Sequence, residues 1–292
     1  MEGAHLENTN VRLLACSVDE DGTTDSDYRF LLDEKHVKYV STAPGVFSDR
    51  PLTDRTFAPT LIGELLPPFP PGSWNSGHIA KDPETAEVHF AKVETVELPR
   101  VENSWHPIQL NEVDFTEQDD LNQRVRICTS AIINNGQPII VKMAAWPWEI
   151  DHMKTETAVY QSLHESDSGI GPKFLGHFLE GEGGRVIGIV IEYVENMRRA
   201  AGVEDFPACK KALMRLHALG IQLGDPDHGN FLVPEGEPAE GKEVILIDFE
   251  FAKQDCSKAE LEGEMEWLQR KLEEGDTTAT YFIAEEEGTS FG

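Results

Sequence analysis

Five polar residues, set at the ends or on the faces of apolar segments in a fixed order, constrain this chain more than anything else in it. Lys142 lies near the end of the β-rich run PIIVKM, and Glu156 follows 14 residues later in EIDHMKTETAVYQSLHE, a helix with Ile150, Met153, Val159 and Leu163 near one face. A further strand, GRVIGIVIEYV, leads to the helix DFPACKKALMRLHALG, with Gly220 at the C-cap position. Next comes the loop GDPDHGN, in which Asn230 stands five residues after Asp225. The stretch EVILIDFEFA reads as a buried strand that delivers Asp248 at its end, and KAELEGEMEWLQRKLEE reads as an amphipathic helix with Leu261, Met265, Leu268 and Leu272 aligned. Taken singly, Asp225 and Asn230 are turn formers, Lys142 is a strand-end charge and Glu156 a solvated helix residue. It is their order and context that carry chemical meaning.

The preceding chain is organised differently. VRLLACSV suits a strand, DEDGTTDSD a solvated loop, and Pro67, Pro68, Pro70 and Pro71 block regular helix. The alternation in VHFAKVETVEL suits a half-buried strand. From about residue 106, IQLNEVDF and RVRICTSAIIN read as strands, with NNGQ as a turn. The expected division is a segment over residues 1–105, a β-rich unit over 106–195 and a short helical unit over 196–292. Trp74 and Trp105 are expected to pack the first segment onto the second, with His78 and His106 capping turns.

Phosphoryl transfer requires little covalent chemistry from a protein; it depends on positioning and charge neutralisation. A lysine that reaches phosphates needs a carboxylate to fix it, and Lys142 and Glu156 supply that pair. Asp225 fits the group that orients or accepts the proton of an attacking hydroxyl. Asn230 and Asp248 fit as oxygen ligands for Mg2+. Backbone groups of Glu192 and Val194, in the linker IEYVE, are candidates to read an adenine edge.

At this point the chain resembles the protein-kinase-like superfamily and, within it, the aminoglycoside-phosphotransferase branch. It is more closely similar to a group of small fungal kinase-like proteins that carry a Pro-rich start, a Trp-Asn-x-Gly-His stretch, a Trp-His-Pro, then GIGPKFLGH and RLHALGI, matched here by LPPFPPGSWNSGHIAKDP, SWHPIQL, GIGPKFLGH and RLHALGI between about residues 62 and 275. The resemblance implies a two-lobed fold with ATP and Mg2+ as cofactors. Leu223 stands where the family loop has a histidine, and Pro226 directly follows Asp225. Proline there drives Asp225 toward extended backbone and removes a donor. His228 and Asp227 are then candidates to enter the site, His228 as an acid or base. The hairpin before Lys142 has no glycine, and its Glu117, Asp119 and Asp120 would repel phosphates if they faced inward.

With 53 acidic against 25 basic side chains and a net charge of −28, the chain is expected to avoid nucleic acid and anionic membranes; the acidic surface leaves room for a protein partner. Four scattered cysteines without metal-ligand spacing point to a reducing compartment, and the start MEGAHLENTN lacks a secretory pattern, so a cytoplasmic location is expected. Only 44 residues follow Asp248, which favours a small-molecule acceptor over a docked peptide. The expected activity is an ATP- and Mg2+-dependent transfer to a metabolite hydroxyl. The alternative is an inactive or repurposed module of the same fold that binds a nucleotide or a partner or runs a different biosynthetic reaction.

Overall fold

Alternating apolar residues at the start of the chain pair into a five-stranded sheet in the computed structural model, which describes residues 8–47, 50, 52–56, 59–181, 184–236 and 243–274. The strands are β1 (Val11–Ser17), β2 (Ser26–Leu32), β3 (His36–Thr42), β4 (Ser76–Lys81) and β5 (Val88–Glu94), in sheet order. Neighbours are antiparallel except β3 and β4, whose connection carries the short helices α1 (Leu52–Arg55) and α2 (Pro59–Leu65). Tyr28, Phe30, Val40, Trp74 and Ile79 form this sheet's own core. The β2–β3 hairpin turns through Asp33 and Glu34, with φ of 53° and 56°. Two successive left-handed residues match the twist of paired strands. Without an Asn-Gly signature, the sequence reading passed over β2, β3 and β4.

A second, six-stranded sheet contains β6 (Gln109–Asn111), β7 (Thr116–Asn122), β8 (Val125–Thr129), β9 (Ile139–Met143), β10 (Phe174–Glu180) and β11 (Arg185–Glu192), ordered β6-β10-β11-β9-β8-β7. Helix α3 (Ile150–Glu165) connects β9 to β10, burying Ile150, Met153, Val159 and Leu163 as the periodicity requires. A three-stranded sheet of β12 (Met197–Arg199), β13 (Phe231–Pro234) and β14 (Ile245–Leu246) sits with helices α4 (Phe206–His217) and α5 (Lys258–Glu274). One continuous apolar core joins the six-stranded sheet to α3, α4 and α5. The molecule is therefore a mixed α+β protein with several sheets and few helices. No helix among the described residues is long and apolar enough to cross a membrane.

Several expectations change. EVILIDFEFA is not a continuous strand: only Ile245 and Leu246 pair in the sheet, Ile247 N donates to Asn230 O, and Asp248 turns left-handed. IQLNEVDF keeps three strand residues before a 3-10 turn at Glu112–Asp114, and β10 is a strand the sequence reading did not include. Trp74 packs within the first sheet's core, whereas Trp105 packs on Phe174 and donates to Thr157 O. His78 Nδ1 pairs with Ser41 Oγ across strands and does not cap a turn, while His106 Nδ1 does accept from Ile108 N. Residues 1–7, most of the stretch read for a secretory pattern, and 275–292, the end of the third segment, lie outside the described residues.

The two large sheets meet through charge. Arg29, 1% exposed, donates to Glu180 Oε1 through Nε at 2.9 Å and Nη2 at 2.6 Å. Tyr39 OH donates to the same oxygen at 2.8 Å, and Arg185 Nε donates to Glu180 Oε2 at 3.0 Å. Burial works against Glu180's charge, but the two guanidiniums outweigh it and hold the carboxyl below its ordinary range.

Candidate functional site

Strand β9 directs Lys142 toward the end of the apolar core, and the close approach of β11 fixes it there. A Cβ on Gly188 would lie 2.3 Å from Lys142 O, so only glycine permits that pairing. Lys142 Nζ stands 2.8 Å from Glu156 Oε2, 2.7 Å from Asp248 Oδ1 and 3.1 Å from Glu250 Oε1. Glu156 is 1% exposed, and its other oxygen accepts from Phe249 N at 3.3 Å. The expected Lys142–Glu156 pair is thus formed, and Asp248 joins it from 106 residues away. Burial opposes the Lys142 charge, but Glu156, Asp248 and Glu250 together raise its affinity for the proton above the usual lysine range. Burial pushes the Glu156 carboxyl up, with Lys142 pulling in the opposite direction.

Asp248 has φ of 63°, an uncommon conformation for a residue with a Cβ and one that aspartate tolerates better than most. Strained backbone of this kind is concentrated at functional sites. The side chain remains 41% exposed, the most accessible member of the group around Lys142.

Two residues that sequence reasoning missed complete the cluster. Arg124, in the turn between β7 and β8, makes a two-pronged contact to Glu250, lies 3.3 Å from Glu149 Oε1 and donates to Met143 O at 3.2 Å. Glu250 is consequently shared between Arg124 and Lys142. Burial works against its charge, but both cations hold its carboxyl below the ordinary range. The sequence signals were faint: an acidic residue two places after Asp248, and the first basic residue after an acidic hairpin strand. Arg124, Lys142, Asp248 and Glu250 line a cavity of about 520 Å³, together with Trp146, Trp148 and Glu149 and with Cys16 and Ser17 of β1.

The 225–230 loop stands beside this cavity without forming its wall. Asn230 Nδ2 donates to Asp225 O at 3.0 Å, and the backbone pairing of Asn230 with Ile247 puts the loop next to Asp248. Asp225's carboxyl is pushed up, first by burial, then by repulsion from Asp227 and Asp248. Leu223 is fully buried, and Glu264 of α5 braces the loop. Glu264 accepts from Leu223 N at 3.1 Å and Gly224 N at 2.6 Å, and lies 2.7 Å from His217 Nε2. Its position in the sequence was a usable signal, because Glu264 is a charged residue one turn from Leu268 on the buried face. Gly224, at φ of 84°, passes Phe251 so closely that a Cβ would lie 1.9 Å from its carbonyl oxygen.

Several of the candidate residues stand apart from the cavity around Lys142. His228 Nδ1 lies 3.1 Å from Asp227 Oδ1, and Asp227 caps the short turn at His228–Asn230; like Asp225 and Asn230, neither is in the wall of the cavity. Glu192 uses its N–H on Lys173 O and lines a separate cavity with Tyr160 and Lys173; Val194 is absent from the wall around Lys142. Of the acidic hairpin residues, Glu117 and Asp120 pair with Arg126.

No protein-family model matches the chain, and no curated protein matches its sequence.

Proposed function

We propose that this protein is a kinase-like, ATP- and Mg2+-dependent phosphotransferase acting on a hydroxyl of a small molecule, with a two-lobed arrangement of the six-stranded sheet and the helical part. The observation that carries this reading is the convergence of Glu156, from a helix, and Asp248, from a strained loop, on one buried lysine. Lys142 contacts phosphate oxygens and is kept extended by Glu156. Asp248, half-exposed beside Asn230, offers with it oxygen ligands of the type a hard divalent cation takes, and Glu156 lies within the same group of carboxylates. Magnesium, when bound, neutralises charge on the transferring phosphoryl group. Asp225 orients the acceptor hydroxyl and takes its proton, a role favoured by a carboxyl whose proton affinity is already raised.

A second reading, a binding module without turnover, is favoured by one observation: Arg124 and Glu250 already meet across the space that a nucleotide would enter. Calorimetric titration with ATP, with and without magnesium, separates the readings when combined with turnover assays. Magnesium-dependent binding that is lost in Asp248→Asn, together with phosphorylation of an acceptor from a metabolite panel, supports the phosphotransferase. Binding without transfer supports the module, and no binding of ATP defeats the nucleotide reading altogether.

A further inference from the structure

We infer that Arg124 is a phosphate-binding residue of this site and that Glu250 holds its guanidinium until phosphate arrives. The inference rests on the phosphotransferase reading and extends it to a residue that the spacing of Lys142, Glu156, Asp225, Asn230 and Asp248 does not include.

The hairpin between β7 and β8 has no glycine with which to bring backbone N–H groups against a phosphate. Its turn instead carries a guanidinium, whose planar fork fits two oxygens of a carboxylate or of a phosphate equally well. Both prongs of Arg124 are on Glu250, and Glu250 also touches Lys142 at 3.1 Å. A single carboxylate therefore sits between the two cations of the cavity, in the place a phosphate group would take between them. The turn is positioned from both sides: Gln123 Oε1 accepts from Cys16 N at 3.0 Å, and Arg124 Nε donates to Met143 O. Arg126 draws off the hairpin's Glu117 and Asp120, so the hairpin presents Arg124 to the cavity rather than its acidic strand.

The balance of charge explains why the phosphate must come with a metal. Arg124 and Lys142 face Glu149, Glu156, Asp248 and Glu250, so carboxylates outnumber cations and a bare polyphosphate is repelled. A divalent cation restores neutrality, and Arg124 then exchanges Glu250 for a phosphate oxygen. Glu250 is an internal competitor in this scheme, and its removal tightens binding.

The test is calorimetric titration of the full chain with magnesium-ATP and with magnesium tripolyphosphate, on the wild type, Arg124→Gln, Glu250→Gln and the double variant, each checked for native circular dichroism. Arg124→Gln is expected to weaken both ligands by about tenfold, the scale of a lost charge-assisted bidentate contact. Glu250→Gln is expected to strengthen both, and that gain is expected to shrink in the Arg124→Gln background. The inference is overturned if Arg124→Gln binds both ligands like wild type, or if Glu250→Gln gives the same gain with and without Arg124. Arg124-dependent tripolyphosphate binding without ATP turnover upholds the inference and defeats the phosphotransferase reading. Magnesium-ATP turnover that is indifferent to Arg124 does the reverse, and a wild-type chain that binds neither ligand defeats both. Should Arg124→Gln fail to fold, Arg124→Lys serves in its place, since it keeps the charge and loses the fork.

Discussion

Among the described residues, two of the buried ionic clusters are built to opposite rules. Where the two large sheets meet, Glu180 lies between Arg29 and Arg185 with Tyr39 donating to it, and both of its oxygens have partners. At the end of β9 the ratio is reversed: Lys142 and Arg124 face four carboxylates, and Asp248 is left 41% exposed in a strained conformation. A buried charge is costly unless paired and hydrogen-bonded, so a cluster complete within the chain holds structure. A cluster with surplus negative charge on the edge of a cavity is suited to a cation from outside. The same chemistry thus serves as a fastening in one place and a binding site in the other.

That contrast is most sharply tested at Asp248. Asp248→Asn is expected to lower turnover about a thousandfold, the scale of losing several kcal/mol of metal-assisted charge stabilisation, while shifting stability by less than about 1 kcal/mol. Steady-state rates and urea titration check the two halves, and a large stability loss with unchanged turnover would make this cluster a second fastening. Glu180→Ala should behave in the opposite way. It strands Arg29 in the interior and is expected to cost about 3–5 kcal/mol in urea unfolding; a cost under 1 kcal/mol would mean the sheets are held by apolar contacts such as those of Ala15, Ala145 and Trp146.

Smaller effects refine the comparison. Glu264→Gln removes a charge that accepts from two loop N–H groups and is expected to destabilise by about 1–3 kcal/mol, with reduced turnover because Gly224 and Asp225 lose their brace. Urea midpoints identical to wild type would place the loop's support elsewhere. Strand β10 also carries His177, fully buried against Trp105 and Phe174, with its proton affinity lowered to about 4 by burial and by His106. The unfolded chain binds this proton from 6.5 downward and the folded chain does not until about 4. Stability therefore falls as pH drops through that window, and His177→Gln should flatten the slope in urea midpoints measured across it. An unchanged slope would assign the acid sensitivity to other groups.

Helices α3, α4 and α5 and strands β5, β9 and β11 were legible in the sequence, because their apolar spacing records which face each buries. The Lys142–Glu156 pair was legible for the same reason: a strand end and one helix face determine where those two side chains point. Strands β2 and β3 were not, since their turn is made by Asp33 and Glu34 in a conformation their types do not advertise. The supposed strand around Asp248 was misread because a continuous apolar run, EVILIDFEFA, says nothing about where pairing stops.

By itself, then, the sequence determined the order of the elements and the few residues that could do chemistry at their ends, since helical and strand periods are local properties. Only the tertiary structure decided what stands around Lys142. Asp248 and Glu250 reach it from more than 100 residues away, Glu250 holds Arg124 beside it, and Glu264 reaches the loop at Leu223 and Gly224 from α5. Charge pairing across such distances depends on how the sheets and helices close on one another, and no local pattern records it.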